Sequence, residues 1–154
     1  MSNPDRPTRD VVVNRRARRN YEILDKLEAG IALSGTEVKT LRTGQVSLAE
    51  AYVKVRKDGL WLVGAHIDEY EKGSVFNHEP TRDRRLLVHA REMAKLTQKA
   101  KEKGLTLVPL RLYFRGKWAK VEIGLGRGRK LHDKREHLKK RESQRDLRRA
   151  MGRD

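Results

Sequence analysis

The sequence predicts a mainly β protein with short helices, closing into a small barrel and followed by a basic carboxy-terminal tail that is disordered when free. Three observations predict it. Two pairs of apolar-alternating segments are each joined by a tight-turn signal, two helical patterns interrupt them, and apolar residues thin out abruptly after Leu125.

The elements follow in order. Residues 1–13 carry two of the four prolines and no periodic pattern, and read as a flexible amino-terminal arm. Residues 14–19 (NRRARR) are a short basic cluster. From Tyr21 the apolar positions Ile23, Leu24, Leu27, Ile31 and Leu33 fit a helix in part and a strand in part. A long strand through Gly30 is favoured, because a glycine there suits a bulge or barrel bend better than a helix interior. Residues 34–44 predict a short helix, with Thr36 as cap, Val38 and Leu41 on one face and Gly44 as stop.

Residues 51–56 alternate with Ala51, Val53 and Val55 on one side. Lys57-Asp-Gly59 is a turn signal, and residues 60–67 form the return strand. A polar loop over 69–85 precedes the short apolar run 86–89. Met93, Leu96 and Ala100 stand at helical spacing over 90–103, and Gly104 ends that helix. Val108, Leu110, Leu112 and Phe114 alternate along a strand, Arg115-Gly-Lys117 turns the chain, and Ala119, Val121, Ile123 and Leu125 alternate back. Several strands with two short helices in about 110 residues suggest an OB-type barrel over residues 14–125.

Charge points to the partner. The 154 residues hold 37 Lys and Arg against 21 Asp and Glu, a formal net charge of +16. So large a surplus repels itself in the compact state and calls for a polyanion, nucleic acid first and an anionic membrane second. No apolar run approaches a spanning helix, and the amino terminus has no secretory pattern, so a cytoplasmic location is expected. Residues 127–154 hold 12 Lys and Arg against 5 Asp and Glu, with only Leu131, Leu138, Leu147 and Met151 as sizeable apolar residues. That stripe is too thin to bury a core, so residues 126–154 read as a basic hinge and tail that fold on a partner.

Catalytic and cofactor chemistry finds little support. Cysteine is absent, and the five histidines lack the spacing of a helical metal site, so no metal or cofactor is expected. Gly124-Leu-Gly-Arg-Gly128 looks like a nucleotide loop, but it follows a hairpin instead of opening a helix, and a hinge is the better reading. Trp61, Trp118, Tyr52 and Tyr113 either stack on bases or fill the barrel.

Ten stretches together resemble the bacterial SsrA-binding protein family (small protein B, SmpB). They are Asn14-Arg-Arg-Ala17, Glu28-Ala-Gly30, Gly35-Thr-Glu-Val-Lys-Thr-Leu-Arg42, Asn77-His78, Pro80-Thr-Arg82, Arg84-Arg-Leu-Leu-Val-His89, Val108-Pro-Leu110, Leu112-Tyr-Phe114, Glu122-Ile-Gly-Leu125 and His132-Asp-Lys-Arg135. The resemblance implies a non-catalytic protein, a monomer, whose barrel clasps the tRNA-like domain of transfer-messenger RNA (tmRNA). It implies delivery of that RNA to stalled bacterial ribosomes for trans-translation, with the elongation factor carrying aminoacyl-tmRNA as an indirect partner.

By position, the resemblance implies RNA binding at Asn14, Arg15, Arg16, Arg18, Arg19, Tyr21, Glu28, Lys39, Arg42, Arg84, Arg85, Leu87 and His89. It implies that the tail folds as a helix in the empty mRNA channel. Gly128, Arg129, Lys130, His132, Lys134, Arg135, Lys139, Lys140 and Arg141 would there meet the decoding centre. Two positions depart from the family pattern: Arg19 and Asn20 stand where a histidine and an acid are common, and His89 stands where asparagine is common. The alternative is a general RNA-binding OB protein of ribosomal or initiation-factor type.

Overall fold

The computed structural model describes residues 6–73 and 76–129. Their elements run β1 (Thr8–Val13), α1 (Arg15–Asn20), β2 (Tyr21–Ile31), α2 (Gly35–Thr43), β3 (Val46–Ser47), β4 (Tyr52–Arg56), β5 (Gly59–Val63), β6 (His66–Ile67), β7 (Arg84–Leu87), α3 (Ala90–Lys103), β8 (Thr106–Arg115) and β9 (Trp118–Gly128). Seven strands form one antiparallel sheet in the order β1-β8-β9-β2-β7-β5-β4, and β3 pairs with β6. Strand β4, at one edge, comes back beside β8, so the sheet curls on itself towards a barrel. The mainly β fold with short helices stands as the sequence predicts.

Alternation supplies the core. Leu60 and Leu62 of β5, Leu86 of β7, Leu112 of β8, and Val121 and Ile123 of β9 are all but inaccessible. Each aliphatic side chain so buried contributes about 1.5–3 kcal/mol. Leu96 of α3 is buried against this core, with Met93 and Ala100 packed on it, as their spacing predicts. Gly104 ends α3 with φ 63° and ψ 36°, its N–H donating to the Ala100 carbonyl. That left-handed conformation is what glycine at a helix end provides.

The structure corrects five expectations. Thr8–Val13 is an edge strand paired with β8, where the lack of periodicity suggested a loose arm; β8 offers it a free edge to join. The bulge of β2 falls between Ile23 and Asp25, and Gly30 stays in register with both neighbours. Helix α2 is capped by Ser34, not Thr36: Ser34 Oγ accepts from the Glu37 N–H, and Glu37 reaches back to the Ser34 N–H, a capping box. The return strand after residue 58 breaks at Gly64 (φ 80°), and His66 and Ile67 form the separate strand β6, with His66 exposed and bonded to Asp68. Strand β9 continues to Gly128, so Gly126 and Gly128 are strand residues and not hinge residues. A Cβ on Gly124 would meet Leu110 at 2.8 Å, and one on Gly126 would meet Tyr21 at 3.0 Å. Those two glycines let neighbouring side chains lie across the strand.

A buried ion cluster fastens α2 to β7. Glu37 is fully buried and accepts from Arg82 Nε (3.1 Å) and Nη2 (2.5 Å) and from Arg84 Nε (2.5 Å). Burial pushes the Glu37 carboxyl up, but the bonds from Arg82, the Ser34 N–H and Arg84 outweigh this and hold it at about 2. Burial pulls the Arg84 guanidinium below its ordinary value in spite of Glu37 beside it. The desolvation cost of the pair falls on Arg84, so its net worth is less than the Glu37 shift alone suggests. Close by, His78 Nε2 lies 2.9 Å from the Ile67 carbonyl and Nδ1 lies 2.9 Å from Thr36 Oγ1. A carbonyl only accepts, so His78 Nε2 is the donor to Ile67.

Candidate nucleic-acid interface

Strand β2 carries two candidate RNA contacts at opposite ends. From Tyr21 to Gly30 it spans about 30 Å at roughly 3.3 Å per residue. Helix α1 and the end of β9 lie at the first end; a groove lies at the second.

At the first end, Asn14 caps α1: its Oδ1 accepts from the Ala17 N–H at 3.2 Å, and its Nδ2 donates to the Pro109 carbonyl at 2.9 Å. Asn14 is buried, so its side chain holds the helix in place rather than facing outward. The helix presents Arg15, Arg16, Arg18 and Arg19 to solvent. Arg16 pairs with Glu50 at 3.0 Å. Tyr21 is half-buried and packs with Ile23 on the small cluster of Ala17, Val108 and Leu110. Because Tyr21 is in register with Gly128 and Glu22 with Arg127, strand β9 brings Arg127 and Arg129 up to α1, and the Arg129 N–H donates to the Asn20 carbonyl. Arg127 and Arg129 thus lie at the end of β9 that reaches α1, whose arginines face solvent. Lys130, His132, Lys134, Arg135, Lys139, Lys140 and Arg141 lie outside the described residues.

At the second end a groove of about 780 Å³ is lined by Glu28, Gly30, Leu87, His89, Glu92, Lys117, Trp118 and Lys120, with Ile31, Leu33, Val38 and Phe114 among its apolar walls. Register explains it. Gly30 stands opposite Leu87 on β7 and opposite Lys120 on β9. Glu28, Gly30, Lys120 and Trp118 share a face by strand alternation. Glycine keeps the floor of this trough low and Leu87 closes over it: a Cβ there would come within 3.2 Å of Leu87 Cβ. Glycine inside a strand often marks such a close approach.

The trough has an unusual rim for a basic protein. Leu87 is 53 % and Trp118 43 % exposed. Lys117 Nζ stands 5.3 Å from the centre of the Trp118 ring. Glu28 Oε2 accepts from Tyr113 Oη (2.5 Å) and from Arg115 Nε (3.0 Å) and Nη2 (2.8 Å). Burial pushes Glu28 up, but Arg115 and Tyr113 outweigh it, so the net shift is downward and Glu28 stays ionised. The same contact and burial push the Tyr113 phenol up. Beside the groove, Arg9 and Arg42 approach Phe114 at 5.5 and 5.4 Å and line a second cleft with Pro7, Thr8 and Gly116.

The remaining expected contacts divide. His89 is exposed at the start of α3, and its side chain makes no capping bond. Lys39 is exposed and lies 5.5 Å from the Tyr70 ring. Arg85 is exposed and donates to the Asp58 carbonyl at 2.6 Å. Arg84 is a correction: it is fully buried, and its guanidinium is spent on Glu37 and the Ala65 and Pro80 carbonyls, so it cannot reach a ligand. Of the four aromatics left open by the sequence, Tyr113 is buried and Trp61 half-buried, while Tyr52 and Trp118 face water. Residue-by-residue reading misses Arg9, Lys117, Lys120 and Arg127. The signal for Lys117, Trp118 and Lys120 is their place at a hairpin turn and its alternation; nothing local marks Arg9.

Among the described residues no helix is long and apolar enough to cross a membrane, and no His, Asp or Glu cluster could hold a metal ion. The family model described as SmpB protein matches residues 11–153. The SsrA-binding protein of Microcystis aeruginosa (strain NIES-843) is 53 % identical over 154 residues, covering 99 % of this chain and all of the relative. That of Carboxydothermus hydrogenoformans is 51 % identical over 141 residues, covering 92 % and 95 %. A solved structure described as "tmRNA-SmpB: a journey to the center of the bacterial ribosome" contains a chain 47 % identical, with a TM-score of 0.66, covering 82 % of this chain and 93 % of that one. Fold, ordered motifs and near-complete coverage agree: the chain belongs to the SmpB family of SsrA-binding proteins.

Proposed function

We propose that this chain binds the tRNA-like domain of tmRNA and delivers it to stalled bacterial ribosomes for trans-translation. It acts there as a binding factor and not as an enzyme. The two ends of β2 divide the work. The groove takes the RNA through Glu28, Leu87, His89 and the cations around them. The surface of Arg15, Arg18, Arg19, Arg127 and Arg129 contacts RNA phosphate where the chain leads into residues 130–154, which engage the decoding centre and mRNA channel.

One observation carries this reading: a groove that combines exposed apolar and aromatic side chains with both signs of charge. A surface built only to attract phosphate needs Lys and Arg alone. Exposed Leu87 and Trp118 beside an ionised Glu28 suit unpaired bases and folded RNA shape.

The test is a competition titration at two salt concentrations, comparing the tRNA-like domain of tmRNA with an ordinary tRNA of similar length. Preference for the tRNA-like domain that persists at the higher salt is the expected result. Equal binding that collapses with salt would mean phosphate attraction alone and return a general RNA-binding module to first place.

A further inference from the structure

We propose that the cleft between β1 and α2 is a seat for a single phosphate group, held between the guanidinium groups of Arg9 and Arg42. Its lining of Pro7, Thr8, Arg9, Arg42, Phe114 and Gly116 shares only Phe114 with the groove over Gly30. Arg9 belongs to none of the ten family stretches, so the seat goes beyond the contacts proposed above.

Strand pairing and a helix end build the cleft. Arg9 stands opposite Phe114 in the register of β1 and β8, and Arg42 comes from the last turn of α2. The two guanidinium carbons lie 5.5 and 5.4 Å from the centre of the Phe114 ring, so one ring brings two like charges together. The ring's negative face accounts for their position, but it does not neutralise them. Among the described residues no carboxylate lines the cleft, and neither guanidinium has an ion pair or hydrogen bond. Asp10, the next residue along β1, is taken by Arg111. By contrast Arg56, Arg82, Arg84, Arg111 and Arg115 are each bonded to a carboxylate. Gly116, with φ 61°, makes room for a third cation at the rim, since a Cβ there would stand 2.8 Å from Arg6 Nη1.

Uncompensated cations in a concave site call for an anion. A planar carboxylate matches one guanidinium fork edge-on. The tetrahedral oxygens of a phosphate leave a single plane, so two forks can approach it from different directions. The cleft, about 360 Å³, has room for such a group. An RNA backbone phosphate and a free phosphate share this chemistry, and the test separates them.

The experiment uses the full chain and follows the Nε–Hε signals of Arg9, Arg42 and exposed Arg91 by NMR. Inorganic phosphate is titrated against chloride at constant ionic strength. Saturating shifts of Arg9 and Arg42 with one common affinity, and none at Arg91, are expected; Arg9→Gln or Arg42→Gln alone should remove both. In a second arm the tRNA-like domain of tmRNA is titrated at several salt concentrations. If its backbone fills the seat, either variant lowers the salt slope by about one unit. The double variant then falls no further, because both arginines hold the same phosphate, and Arg91→Gln changes nothing. Saturating phosphate shifts with every slope unchanged identify free phosphate as the occupant. No saturating shift together with unchanged slopes, or slope losses that add in the double variant, overturns the proposal. Lysine keeps the charge without the fork and replaces any glutamine variant that circular dichroism shows to be unfolded. A tRNA-like domain that fails to bind removes the tmRNA reading and leaves the inorganic phosphate arm to decide the seat.

Discussion

Replacing Glu37 with glutamine should cost more stability than any surface substitution in this chain. Glu37 and Arg84 have no exposed side-chain surface. Removing the anion leaves the Arg84 guanidinium buried without its counter-charge, a change worth about 3–5 kcal/mol. Linkage supports the lower part of that range. The Glu37 carboxyl stands at about 2 against an ordinary 4.5. At 1.36 kcal/mol per pKa unit that difference is about 3 kcal/mol. The folded value is the depressed one, so this contribution is complete above pH 4.5 and is lost as pH falls from there towards 2. With a urea slope of about 2 kcal/mol per molar, a loss of 4 kcal/mol lowers the unfolding midpoint by about 2 M. Urea titrations at pH 7, 4.5 and 3 measure both effects. The glutamine variant should show the lower midpoint at pH 7 and a flatter acid limb. Glu37→Leu with Arg84→Met should cost less than Glu37→Gln alone, because no unpaired charge remains. A loss below about 1 kcal/mol, or an unchanged acid limb, would refute the claim that this cluster fastens α2 to β7.

Three further outcomes are expected. Asn14→Ala should lower stability by about 1–2 kcal/mol in thermal or urea unfolding, because α1 loses its cap and the Pro109 carbonyl loses its donor; normal stability with weakened RNA binding would mean Asn14 touches RNA directly. Arg18→Ala should reduce the salt slope of RNA binding by roughly one unit, with Arg16→Ala doing less because Arg16 is already paired with Glu50; an unchanged slope for Arg18 would place it away from phosphate. Truncation after Arg129 should leave binding to the tRNA-like domain mostly intact and abolish ribosome rescue in a reconstituted translation assay. Truncation after Gly126 should impair both, since it removes the end of β9 that pairs with Tyr21 and Glu22.

Local pattern was enough for the β hairpins, α3 and its glycine stop, and for the family, whose ordered motifs are spread along the chain. Alternation and turn chemistry act between near neighbours, so 52–63 and 106–128 declare themselves without help from the rest of the molecule. Edge pairing is different. Thr8–Val13 has no signal of its own and becomes a strand only because β8, a hundred residues later, offers it an edge. The same distance separates the motif residues from their roles. Arg84 and Arg85 are adjacent in sequence and alike in type, yet alternation sends Arg84 into the barrel onto Glu37 and Arg85 out to solvent. Asn14 stands among arginines that look like phosphate contacts, but its amide is spent on a helix cap and the Pro109 carbonyl. Gly30 invites a bulge from its residue type; pairing with Leu87 and Lys120 makes it the floor of a groove instead. Composition and periodicity by themselves determined that the chain is basic, mainly β and suited to RNA. Which cations reach the surface, and that Glu28 and Trp118 share one rim, was decided by strand register, because only the paired sheet fixes the face on which each side chain emerges.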